Sequence, residues 1–174
     1  MLMSLSQGTV VPRTDTTENA RETVERYQQM VYGLALSRAG SKFDADDIFQ
    51  EVFLVYFSKD RAFREEEHKK AWLIKTTLNC CKRALGSTWR KKTTSFDDRP
   101  ELSYSFASKE ENEVFTTLRE LPEKYRTVLH LFYFEDFPTE KIARILGISG
   151  ANVRMRLKRG RDLMREKLKG EYEI

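Results

Sequence analysis

"EKIARILGISGANVRMRLKRGRDLM", residues 140–164, decides how the rest of the chain is read. Its first half belongs to a short amphipathic helix spanning about 139–146. Ile142, Ile145 and Leu146 share one face, and Ala143 is small enough to let another helix approach. Thr139 stands where a cap is expected. Gly147 offers the left-handed backbone of a tight turn. Ser149 is a second natural cap, and residues 150–168 read as a second helix with Val153 and Leu157 on its inner side. Two helices crossing at such a turn form a helix-turn-helix, whose second helix is free to enter a DNA major groove. Ala151, Asn152, Arg154, Met155 and Lys158 fall on or near the outer face. Arg and Asn grip base edges in bidentate fashion. The basic residues that follow, Arg159 and Arg161 among them, suit phosphates. A basic helix alone is common. The small residue, the Gly turn, the cap and the basic helix together point to DNA. Gly160 stands out, since a glycine inside a helix costs about 1 kcal/mol relative to alanine.

Upstream, helical spacing continues. "NARETVERYQQMVYGLALSRAG" places Val24, Tyr27, Val31, Leu34 and Ala35 on one face, and Gly40 is set to stop it. "DADDIFQEVFLVYF" follows, with Asp44 as the expected N-cap and acids in the first turn. Ile48, Val52, Val55 and Tyr56 make its stripe, and Phe49, Phe53 and Phe57 widen it. "KDRAFREEEHKK" reads as a charged break. "AWLIKTTLNCCKRALGSTWRKK" reads as a long helix with Trp72, Leu73, Thr76, Cys80 and Leu85 inward and a basic far end that includes Arg90, Lys91 and Lys92. From Thr93 to about Ser108 periodicity is lost, in a Pro-, Asp- and Ser-containing stretch with the composition of a linker. Helical pattern resumes in "KEENEVFTTLREL", and Pro122 suits the first turn of the next helix. No strand alternation or repeat is visible. The expected fold is all-α: two small helical domains joined by a flexible linker, the C-terminal one a helix-turn-helix. The expected boundaries are a flexible tail at 1–17, a first domain at 18–92, a linker at 93–109, a second domain at 110–170 and a tail at 171–174.

Composition narrows the function. The chain has 174 residues, 40% hydrophobic and 33% charged, enough for one ordinary domain or two small ones. No stretch approaches the roughly 18 apolar residues of a membrane span, and the N-terminus lacks signal-peptide character. The net charge of +4 matters less than its distribution. Acids gather at 44–51, 65–67 and 110–113, bases at 82–92 and 154–169, as suits one basic and one acidic partner. Cys80 and Cys81 are adjacent and point apart on a helix, and His68 and His130 are far from each other, so no metal site or cofactor is expected. The adjacent cysteines fit reduced thiols in an intracellular protein. No nucleophile–base set or phosphate loop is present, so an enzyme is not expected.

With both helical blocks in view, the chain resembles the extracytoplasmic-function (ECF) group of bacterial RNA polymerase sigma factors, from about Asn19 to Leu168. "DADDIFQEVFLVYF" resembles the acidic segment of region two, "AWLIKTTLNCCKR" the promoter-melting helix, and "LPEKYRTVLHLFYFEDFPTEKIARILGISGANVRMRLKRGRDLMREKL" region four. The resemblance implies that Asp47, Gln50 and Glu51 dock on the β′ coiled coil of core RNA polymerase. It implies that Phe63 lies in a pocket for a flipped minus-ten base, that Asn79 contacts the non-template strand, and that Lys75, Lys82 and Arg83 hold phosphates. It implies that the last helix, with Ser149, Ala151, Asn152, Arg154, Met155, Lys158 and Arg159, reads the minus-thirty-five element of promoter DNA, and that region four docks on the β flap. Arg154, Arg156 and Arg159 match positions that are often basic in the family. The residues 151–156, "ANVRMR", depart from the frequent Gly-Thr-Val-Lys-Ser-Arg pattern, with Met155 in place of a small polar residue. Asp97, Asp98 and Glu101 would imitate nucleic acid along the RNA exit path. An anti-sigma factor is the implied inhibitor, and the implied location is the bacterial cytoplasm, with tethering at the membrane through that inhibitor. The competing readings are a stand-alone helix-turn-helix regulator, which would need a dimer or ligand module, and a polymerase-bound regulator without melting activity.

Overall fold

The computed structural model of the chain describes residues 17–59, 61–86 and 104–172, and these form seven helices and no strand. They are α1 (Thr17–Arg38), α2 (Lys42–Phe57), α3 (Glu66–Gly86), α4 (Lys109–Arg119), α5 (Glu123–Tyr133), α6 (Thr139–Leu146) and α7 (Gly150–Tyr172). Arg90, Lys91, Lys92, Asp97, Asp98 and Glu101 lie outside the described residues, as do the tail residues 1–16 and 173–174.

The helix boundaries follow local chemistry, and three differ from expectation. Ser41, not Asp44, caps α2: its hydroxyl accepts from the Asp44 backbone N–H at 3.1 Å and donates to the Asp44 carboxylate at 2.7 Å. The serine takes the cap because its hydroxyl both satisfies the Asp44 backbone N–H and is held in place by the Asp44 carboxylate. Thr139 caps nothing. Pro138 holds the extended boundary position at φ −67° and ψ 155°, so Thr139 is already helical. The stretch expected to be a charged break contributes the first turn of α3, which starts at Glu66. That turn carries Glu66 and Glu67, favourable at a helix N-terminus. Glu66 is anchored by the Tyr27 hydroxyl, which donates to its carboxylate, and by Arg26 at 3.3 Å. The Tyr27 hydrogen bond holds the Glu66 carboxyl below its usual range, and burial pushes the Tyr27 phenol up to about 12.

In the N-terminal half, α1 packs on both α2 and α3. Val31, Leu34 and Ala35 meet Ile48, Val52, Leu73 and Ile74 in its centre. The inner stripe of α3 is Leu73, Ile74, Thr77, Cys80 and Cys81, while Leu85 is exposed, against expectation. Likewise Phe57 is exposed at the end of α2. The C-terminal half packs α5 on α7 and α6 on α7. Phe115 and His130 lie at its centre, their rings 6.1 Å apart, and His130 stacks on Phe134 at 5.2 Å.

The two halves are not held apart. α1 lies against α4 and α5, and α3 against α6, so a single hydrophobic core runs through both. Buried Arg38, at the end of α1, reaches the Glu123 carboxylate and the Thr127 hydroxyl of α5. Lys70 donates to the Glu135 carbonyl at 2.8 Å, and its ammonium lies 3.8 Å from the buried Glu135 carboxylate, which lies 3.3 Å from His130. Lys141 pairs with Glu67.

Gly160 has a steric reason. A Cβ there would lie 2.8 Å from Leu129 Cδ1 and 3.1 Å from its Cγ, so the glycine lets α5 and α7 approach. Leu129 is itself buried, so its side chain would have to shift. Gly160→Ala should therefore forfeit the usual gain in helix propensity and lower stability by about 1–2 kcal/mol, since overpacking costs typically 1–3. Urea unfolding measures this, and an increase in midpoint would count against the close-approach account.

Candidate nucleic-acid interface

Region by region, the side chains suited to DNA emerge on helix faces fixed by the packing beneath them. On α7 the buried face is Val153, Leu157 and Gly160. That leaves Ala151, Arg154, Met155 and Lys158 outward at spacings of three and four, all exposed. Gly147 adopts φ 66° and ψ 35°, and the Ser149 hydroxyl accepts from the Asn152 backbone N–H at 3.1 Å. The turn and the cap thus set where α7 begins. Asn152 is half-buried, and its side-chain oxygen accepts from Arg156 Nε at 3.0 Å. Arg159 is exposed and hydrogen-bonds the Tyr125 hydroxyl, which lowers that phenol's pKa.

On α3, Lys75, Asn79 and Lys82 repeat the same logic. Ile74, Thr77 and Cys81 face the core, so these three polar residues share the opposite, exposed face. Arg83 diverges from them. Its guanidinium lies 3.0 Å from the Glu51 carboxylate of α2 and donates to the Cys80 sulfur at 3.3 Å. The structure thereby couples two residues that sequence reasoning assigned to different surfaces. Phe63 is half-buried beside Trp72 and Tyr56, with ring centroids 6.0 and 6.2 Å away, and the Arg61 guanidinium covers the Trp72 ring at 4.3 Å. Arg61 was not a sequence candidate. A charged residue in an acid- and base-rich stretch gives no signal of its own.

Two further surfaces complete the inventory. Asp47, Gln50 and Glu51 lie along one side of α2, Gln50 exposed and the two acids half-buried. Leu54, 71% exposed, extends that line by one turn. Its spacing of seven from Asp47 was the signal that could have found it. On the C-terminal half an apolar groove of about 680 Å³ runs between α4, α5 and α7, lined by Val114, Leu118, Tyr133, Phe134, Met164 and Leu168 among others. Val114 and Tyr133 are exposed there. Among the described residues no cluster of three His, Cys, Asp or Glu is placed to hold a metal, and no helix is long and apolar enough to cross a membrane.

Comparison with known proteins identifies the family. Residues 23–91 match the family described as Sigma-70 region 2, and residues 111–164 the family described as Sigma-70, region 4. An ECF RNA polymerase sigma-E factor of Haemophilus influenzae is 30% identical over 162 residues, covering 83% of this chain and 85% of that protein. This chain belongs to the ECF sigma factors. RNA polymerase sigma factor SigV of Bacillus subtilis is 32% identical over 149 residues, covering 83% of this chain and 88% of that protein. The fold matches the sigma factor RpoE of Bartonella quintana, solved with the anti-sigma factor NepR, at a TM-score of 0.66 and 18% identity, over 88% of this sigma factor and 98% of that chain. It also matches CnrH, solved with the cytosolic domain of CnrY, at 0.60 and 22%, over 89% of this chain and 90% of the other. The sigma factor directs promoter-specific transcription initiation, and members of its family are DNA-binding initiation factors rather than enzymes.

Both thiols of this sigma factor are buried beneath the α3 face. Burial pushes Cys81 up to about 12 and raises Cys80 as well. A thiol whose pKa is raised by folding keeps its proton while the unfolded chain loses it. Stability is therefore expected to fall as pH rises from about 9 toward 12, rather than to increase. At neutral pH a disulfide reagent should leave both cysteines unmodified in the native protein and modify both in denaturant. Rapid native labelling would contradict the buried placement.

Proposed function

We propose a residue-level division of labour for promoter recognition. The first unit, residues 18–92, reads and melts the minus-ten element through Lys75, Asn79 and Lys82. Phe63 and its aromatic neighbours receive an unstacked base, whose extraction costs a few kcal/mol that apolar contact offsets. Arg83 joins the phosphate contacts once it leaves Glu51. The second unit, residues 110–170, reads the minus-thirty-five element through Ala151, Arg154, Met155 and Lys158 of α7, with Ser149, Asn152 and Arg159 at the margins. Residues 93–109 connect the units. Met155 offers a methyl-sized apolar contact in place of a polar one, which suits thymine.

The same reading assigns the polymerase contacts. The acidic line of Asp47, Gln50 and Glu51, extended by Leu54, docks on the β′ coiled coil. The apolar groove between α4, α5 and α7 receives the β flap. An anti-sigma factor is the inhibitor, a reading supported by the likeness to RpoE in its complex with the anti-sigma factor NepR, and the protein works in the cytoplasm, with membrane tethering supplied by that partner.

One observation carries the proposal. Two outward faces suited to nucleic acid stand on separate helices, α3 and α7, one in each of the family's two regions. The test is open-complex formation with core polymerase and a library of promoter-length duplexes, read by mapping unpaired bases. Melting at a defined pair of elements only when both proteins are present is the expected result. Core binding without melting would favour the regulator reading. No association with core by the folded protein would overturn the assignment.

Substitutions separate the roles. Arg154→Ala should cost about 1–3 kcal/mol and relax base preference at one minus-thirty-five position. Lys158→Ala should weaken binding for all sequences and flatten the salt dependence by about one unit of slope. Asn79→Ala should leave core binding intact and slow melting about tenfold or more. An unaffected melting rate would remove Asn79 from the site.

A further inference from the structure

The described end of the connecting segment, Tyr104–Phe106, does not run free between the halves. Tyr104 lies against Gly33 of α1. A Cβ at position 33 would lie 2.9 Å from Tyr104 Cδ2 and closer still to Cε2, a separation no side chain tolerates. One turn before Gly33 on the same face, the Gln29 side-chain oxygen accepts from the Ser105 backbone N–H at 3.0 Å. On its other side Tyr104 stacks on Phe115 of α4, with centroids 5.1 Å apart and planes at 26°, and Phe106 meets both rings edge-on at 4.8 and 5.2 Å. Half-buried Tyr104 is thus wedged between the first half and the second, and burial pushes its phenol up to about 12.

The arrangement this wedge stabilises conflicts with promoter binding. Lys75, Asn79 and Lys82 open onto a cleft of about 540 Å³ whose opposite wall is Ile145 and Leu146 of the helix-turn-helix and Glu123 of α5. The second half thus narrows the approach of a DNA strand to Asn79. The distances conflict as well. Elements about 25 base pairs apart, at about 3.4 Å per pair, are separated by about 85 Å. A compact chain of this length has a radius of gyration of only about 16 Å.

We propose that Tyr104–Phe106 form an internal clasp, with Gly33 as its socket, that holds the free sigma factor in a closed, promoter-incompetent state. The inference rests on the assignment of α3 and α7 to the two promoter elements. The clasp works with Arg38–Glu123 and Lys70–Glu135, and it is distinct from any inhibition by a second protein because all of its parts lie within this chain. Opening removes the wall that faces Asn79 across the cleft and frees the two regions to take the spacing that core polymerase imposes.

The experiment measures geometry and affinity separately. Spin labels at Glu22→Cys and Glu166→Cys, exposed positions outside both promoter faces, report the distance between halves, with Cys80 and Cys81 shielded by burial. The backgrounds are wild type, Gly33→Ala and Tyr104→Ala. Alanine is a good helix former, so Gly33→Ala keeps α1 intact while refusing the ring, and Tyr104→Ala removes the ring while keeping the socket. Wild type should give one short distance, and both variants a broad, longer distribution with unchanged helix content. Titration with core polymerase should then show tighter apparent binding by both variants. An open fraction of one tenth in wild type corresponds to about a tenfold gain on full opening. A long distance in wild type, or a short one in both variants, would overturn the clasp. Opening without any gain in affinity would overturn its inhibitory role. Failure of wild type and variants alike to associate with core would instead strike the promoter assignment, and the distances would still decide the clasp.

Discussion

The guanidinium of Arg38 is the point on which the assembled molecule turns. It is buried at the end of α1, where an unpaired charge would cost several kcal/mol. The partners of its two terminal nitrogens, Glu123 and Thr127, belong to α5 in the other half of the chain. Beneath it lies the Cys81 thiol of α3, close enough for the charge to act on it. One side chain thus joins α1, α3 and α5. The first half cannot bury Arg38 with good partners unless the second half is docked. Two further cross-contacts, Lys70 with Glu135 and Lys141 with Glu67, occupy other parts of the α3 side of the same junction.

This dependence explains the character of the interface. It combines buried apolar contact with ion pairs that retain partial exposure: Glu123 is 56% exposed although Arg38 is 7% exposed. Such a pair specifies a docked geometry and contributes modestly to affinity, because water can reach the Glu123 carboxylate. A junction of that kind holds two small domains together in isolation and releases them when a large partner offers better contacts. The proposed reading of one DNA molecule at separated places by the two regions needs both states.

Much of this was legible in the sequence because it is written locally. The turn at Gly147, the cap at Ser149 and the inner stripe of Val153 and Leu157 follow from short-range spacing, and the structure has all of them. The all-helical class and the family followed from the same periodicity and from two motif blocks in order. The misplaced features were of two kinds. Caps slipped by a few residues where Ser41 and Pro138 competed with Asp44 and Thr139 for one boundary. The inter-half contacts were invisible, because Arg38 with Thr127, or Lys70 with Glu135, pair residues 65–89 positions apart with no local signature. Tyr104 was read as part of a linker by composition, yet its place is set by the absence of a side chain at Gly33, far from it in sequence. Gly160 was noticed as an anomaly, and only the position of Leu129 supplied its reason.

The long separation between Arg38 and its partners also has a meaning in time. A chain made from its N-terminus completes α1, α2 and α3 before Glu123 and Thr127 exist. Translation proceeds at roughly 5–20 residues per second, so that delay lasts seconds, whereas helical packing of local contacts takes far less. During biosynthesis the first half is therefore folded but uncovered, with the Lys75, Asn79 and Lys82 face open and Arg38 awaiting its acid. Closure is the last event in the making of the molecule, and the nascent factor passes through the open form before it first acquires the closed one.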